Sequence, residues 1–158
     1  MKKRHQGFFA LLFAGLFLLL LVQTADAASW WTQKYVRYSA TAGETLTTGD
    51  VVCIKGSDGE AYKADADDSS LRPAVGVIDK GGASGSTVEI VVDGVISGMT
   101  AKSPGATLYL ATTAGAFTTT APTNEQTIGW VLPGTAGSSS STTYFIRVEA
   151  KKSPSAGY

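Results

Sequence analysis

Two stretches of the chain carry side chains with the chemistry for a site. Asp65, Asp67 and Asp68, with Ser69 and Ser70, put five carboxylate or hydroxyl groups within six residues. Calcium takes such hard oxygens. Counted from Asp65, however, the EF-hand pattern fails: Ser70 stands where the turn glycine belongs and Gly76 where the bidentate Glu belongs. The run reads as a solvated loop capping one helical turn over Asp65–Pro73, which Pro73 ends. Asp65, Asp67 and Asp68 are the chain's metal candidates, but no metal or other cofactor is expected.

The second stretch is Val51–Lys55, a strand-like apolar run around Cys53, the only cysteine. A lone cysteine makes no intrachain disulfide, and a cysteine nucleophile needs a base. The only histidine, His5, lies in the N-terminal leader. Ser-His-Asp and Cys-His arrangements, and the commonest zinc ligand sets, are therefore out of reach for the rest of the chain. Cys53 reads as a small core residue; facing outward, it would offer an intermolecular bridge. Asp50 and Asp58 have turn roles, and no carboxylate pair shows the differing environments a glycosidase needs. No catalytic residue is expected, and the chain does not read as an enzyme.

Residues 1–27 have the form of an export signal. Lys2, Lys3 and Arg4 form a basic region, Phe8 to Val22 an apolar one, and Ala25-Asp26-Ala27 a small-residue cleavage site. The apolar run is short against the roughly 20 residues of a membrane span. Two other readings exist. A retained anchor would set Trp30 and Trp31 at the membrane–water interface. A prepilin cut at Gly7–Phe8 would put Leu12, and not Glu, at the fifth mature position. Cys53 is too far downstream for a lipobox. A chain starting at Ala28 has 131 residues, enough for one domain. It carries 10 basic and 12 acidic residues, a net charge of −2, which argues against a nucleic-acid partner.

Downstream of Ser39, short apolar runs alternate with Gly, Asp, Ser and Thr, which predicts strands and turns. "VVCIK" and "EAYKA" flank Asp58-Gly59, a tight-turn pair. "AVGVI" and "TVEIVV" flank "DKGGASGS", a second hairpin loop. "GVISGM", "TLYLA", "TIGWVL" and "TYFIRVE" complete the strands, with Tyr144, Ile146 and Val148 on one face of the last. Trp130, alternating with Ile128 and Leu132, is expected in the core. The expectation is an all-β fold, a small barrel or sandwich of short antiparallel strands behind an N-terminal hydrophobic helix. Four parts follow: signal 1–27, aromatic segment 28–42, barrel 43–150 and flexible tail 151–158.

The aromatic segment, "SWWTQKYVRYS", has aromatics on both faces. Trp31, Gln33, Tyr35 and Arg37 share one face; Trp30, Thr32, Lys34, Val36 and Tyr38 share the other. Tyr35 to Ser39 fit a strand of the chain's own barrel. Trp30 and Trp31 fit a partner, reached by β-addition with the aromatics as anchors. The partner-binding candidates are therefore Trp30, Trp31, Tyr35, Arg37 and Tyr38.

The run "GETLTTGDVVCIKGSDGEAYKADADDSSLRPAVGVI", followed by "GSTVEIVVDGVISGM" and "SPGATLYLATTAGAFTTTAP", resembles a small β-barrel domain of tailed-phage structural proteins. These are of tail-fibre and capsid-decorating type. The resemblance runs from about Gly43 to Val148 and includes a V-E-I-V-V-D-G-V-I-S-G hairpin. It implies a barrel and a structural role, with no catalytic residues to carry over. Together with the leader, the expectation is a non-enzymatic structural subunit of an extracytoplasmic assembly, such as a surface filament, layer or envelope complex. It would dock through the aromatic segment, with copies of itself as partners. The alternatives are a virion decoration or fibre protein, a carbohydrate-binding adhesin module, and a membrane-anchored accessory subunit. A membrane surface or a glycan is then the partner, and the location is extracellular, cell-surface or periplasmic.

Overall fold

The computed structural model describes residues 35–149. Their order is β1 (Val36–Thr41), β2 (Val51–Ile54), β3 (Ala61–Lys63), β4 (Gly76–Lys80), β5 (Thr87–Ile96), β6 (Thr107–Leu110), β7 (Phe117–Thr118), β8 (Thr127–Val131) and β9 (Tyr144–Arg147). None of these residues is helical. One antiparallel sheet runs β3-β2-β4-β5-β9-β8-β6-β7, with β1 on β5. The fold is all-β, as expected, and the sheet curls into a half-barrel. Loop backbone ties its two ends together: Ala66 N donates to the Ala111 carbonyl, and Gly115 N to the Ala64 carbonyl, each at 2.9 Å.

The concave side holds the main core, where Val51, Val77, Val91, Leu108, Ile128 and Ile146 are wholly buried. Each such side chain contributes about 1.5–3 kcal/mol by leaving water. A second core lies on the opposite side of the same sheet, built from Val52, Ile78, Val88 and Ile90 and covered by Ala42 and Leu46. Two-sided burial explains the unbroken apolar runs "VVCI" and "GVI", where a half-exposed strand would alternate. Successive residues go to opposite cores: Val51 in and Val52 out, Val77 in and Ile78 out.

The Asp58-Gly59 turn forms as read. Gly59 takes φ +76°, Asp58 Oδ1 accepts from Glu60 N at 3.0 Å, and Lys55 N donates to the Glu60 carbonyl at 3.0 Å. Three readings are corrected. Asp65–Pro73 forms turns instead of a helical turn, because its carboxylates bind backbone locally: Asp65 Oδ1 accepts from Asp67 N, and Asp68 Oδ1 from Ser70 N, both at 2.8 Å. The V-E-I-V-V-D-G-V-I-S-G segment is no hairpin but the single ten-residue strand β5, which Asp93-Gly94 crosses without turning. Trp130 is not a core residue. β8 opposes Leu108 with both Ile128 and Gly129, and this bulge sends Ile128 and Gly129 inward and Trp130 outward. Gly129 is needed there because a Cβ would meet the Phe145 carbonyl oxygen at 2.0 Å.

One buried polar side chain ties distant segments. Gln126 accepts from Ala74 N at 2.8 Å and donates to the carbonyls of Ala74 at 2.9 Å and Glu149 at 3.1 Å. Gln126→Ala would strand the buried Ala74 amide without a partner. We expect a loss of about 2–4 kcal/mol in urea unfolding, with m unchanged. A loss below about 1 kcal/mol would show that water replaces the amide.

Candidate assembly surface

Among the described residues β1 joins the sheet through β5 only. Arg37 stands opposite Val91 and Tyr38 opposite Ile90, so Arg37 takes the concave face and Tyr38 the second core. Tyr35 packs against the main core, its ring lying where a Cβ on Gly94 would fall. The Arg37 guanidinium sits 4.4 Å from the centre of the Tyr35 ring and pairs with Asp79 at 2.9 Å and Glu89 at 3.8 Å. Such half-exposed pairs are worth about 0–1 kcal/mol each and mainly fix orientation. Burial pushes the Tyr38 phenol above its usual range, and a charge on Cys53 would push it further.

Tyr35, Arg37 and Tyr38 thus belong to the strand and its two faces, while Trp30 and Trp31 lie outside the described residues, as do 1–27 and 151–158. The opposite faces of Tyr35 and Tyr38 have a plain cause: Tyr35 meets the main core and Tyr38 the second. Val36, which the sequence did not single out, is 57 % exposed. It starts an outward set that continues through its register partner Asp93 to Arg147, and beside them through Val95 and Phe145 to Trp130. The alternation in Tyr144–Arg147 was the signal for the outward Phe145 and Arg147; the bulge hid Trp130.

Neither chemistry-bearing stretch assembles a reactive centre. Among the described residues no three His, Cys, Asp or Glu side chains converge as a metal site. Asp67 and Asp68 point into solvent from their turns. A cleft of about 400 Å³ opens beside Asp50, Lys102, Phe117 and Tyr144. Its carboxylate is engaged, since Asp50 Oδ2 accepts from Thr47 N at 2.8 Å and lies 3.6 Å from Lys63 Nζ. The Tyr144 hydroxyl donates to the Thr100 carbonyl, and burial raises that phenol's pKa.

Cys53 is 1 % exposed, so the outward position that an intermolecular bridge requires is not taken. Burial also pushes its thiol pKa up, which lowers thiolate content. The native protein should therefore resist a thiol reagent at neutral pH and react only on unfolding. Rapid native labelling would show that β2 opens readily.

The hairpin turn carries a pH signature. The Glu60 amide, and then Ser57 and Tyr62, hold the Asp58 carboxyl below its usual range, and Ser70 does the same for Asp68. Folded values below the unfolded ones add stability above the unfolded pKa, about 4, which is lost as pH falls through the folded value. An Asp58→Asn/Asp68→Asn variant should flatten the fall in stability below about pH 4. An unchanged acid limb in urea titrations would remove both groups from that role.

No curated protein matches the chain. The family model for the phage cement protein matches residues 30–149. That span includes all nine strands, both cores, the β1 segment and Trp30 and Trp31. The chain belongs to the phage cement protein family.

Proposed function

We infer that this chain is a non-enzymatic structural subunit that decorates a phage shell. It docks through its N-terminal segment, with shell protein and copies of itself as partners. The observation that carries this reading is the family match, which begins at residue 30 and so takes in the aromatic segment as well as the sheet. β1 supports it. Among the described residues the strand pairs with β5 alone, which leaves its second edge as the place for β-addition by a partner chain. Trp30, Trp31, Tyr35, Arg37 and Tyr38 are the docking residues, with the two tryptophans as the anchors and the other three holding the strand they extend from.

A second reading, an exported subunit of an extracytoplasmic assembly, is favoured by the basic, apolar and Ala-Asp-Ala succession in residues 1–27. The two readings differ in what the first residue of the assembled protein is. Mass spectrometry of protein recovered from purified particles, and of protein recovered outside the producing cell, separates them. A particle-bound chain supports decoration; a processed chain starting at Ala28 and found only in a cellular surface fraction supports export. For the docking residues, a Trp30→Ala/Trp31→Ala variant should bind undecorated shells at least about tenfold more weakly in a pelleting assay. Unchanged binding would place the contact elsewhere on the molecule.

A further inference from the structure

The outer side of the sheet is used in two ways. At the β1-β4-β2 end the chain covers it with its own residues Ala42 and Leu46, making the second core. At the other end it carries two neighbouring cross-strand rows that belong to neither core. Val95, Phe145 and Trp130 form one row across β5, β9 and β8; Val36, Asp93 and Arg147 form the other across β1, β5 and β9.

Bulges aim these residues outward. The extra residue in β8 turns Trp130 away from the core, and Val92, left without a β1 partner, changes the face of everything after it in β5. Bulges recur where a side chain must be re-aimed. The Trp130 and Phe145 rings lie 5.1 Å apart, and Arg147 lies 5.5 Å from the Phe145 ring while its Nε bonds Asp93 at 2.9 Å. Aromatic residues and arginine are the types enriched at protein interfaces. The side chains of Arg147 and Asp93 are 57 % and 33 % exposed.

Arg147 and Asp93 already pair within the chain, so a partner surface of one sign would have to break that pair and oppose one of its members. A second copy, turned about a two-fold axis, matches both, because each Arg147 then faces the other copy's Asp93. We propose that this outer face pairs two copies of the chain back to back, with Trp130 and Phe145 at the centre and Arg147 and Asp93 exchanged across the axis. This rests on the reading that copies of the chain are among its partners. It leaves the N-terminal segment for the shell.

The test is a charge exchange in the full-length chain, followed by sedimentation velocity. The wild type should be a dimer. Arg147→Asp and Asp93→Arg alone should each be monomeric, since each then sets like charges against one another. Mixed in equal amounts they should regain the dimer, because the mixed pair restores both contacts. A role confined to the bond within one chain predicts no recovery on mixing, and that result would overturn the proposal. So would a wild type that stays monomeric to the limit of its solubility. Val36→Glu, at the edge of the face and outside both cores, should also shift the protein towards monomer, and circular dichroism checks that each variant is folded. Shell binding is measured in parallel. Monomeric wild type that still binds shells sinks the back-to-back pair alone, whereas a dimer that ignores shells sinks the decoration reading alone.

Discussion

Strand β5 buries both faces of its first half, and one residue skipped by β1 then reverses which face each later side chain takes. Up to Val91 the strand divides its residues between two cores, Ile90 to the outer and Val91 to the inner. A regular continuation would send Asp93 inward with Val91. Because Val92 is skipped by β1, Asp93 and Val95 turn outward, and Gly94 and Ile96 take the inner side. β1 and β9 pair with the strand beyond that point, so the change of face is passed to them, whereas β4 meets only Glu89 to Val91 before it. Tyr35 can rest against the main core only because Gly94 leaves the room.

The arrangement also explains how a short chain keeps so many small strands together. Among the described residues no strand other than β5 exceeds six residues, and several ladders contain only two or three pairs. Isolated, such pairings are marginal in water. Here β2 to β9 face the main core, β1 to β5 also border the second core, and the Gln126 bonds hold Ala74 and Glu149 to the start of β8.

Much of this was legible in the sequence, for identifiable reasons. The all-β class, the Asp58-Gly59 turn and the faces of Tyr144–Arg147 follow from local chemistry and a period of two, and the structure has them. The errors fall at bulges and at carboxylates. Asp93-Gly94 has turn composition, and the pairing with β1 on one side and β9 on the other keeps it extended. Trp130 has core parity until the extra residue before it is seen, and that residue is visible only from the ladder with β6. Asp65 and Asp68 were read as caps of a helical turn, yet each closes its own two-residue turn. The opposite faces of Tyr35 and Tyr38 reflect a core on each side of the sheet at β1, which the sequence of one strand alone does not reveal.

The attachment of β1 has a mechanical consequence. Tension that enters the described residues at Tyr35 is borne first by β1, whose bonds to β5 run crosswise to the strand. A pull along the strand loads all those bonds together, while a pull away from the sheet loads them one after another from Val36. The direction of pull, more than the strength of any single contact, then sets how much force the subunit withstands before its first strand leaves.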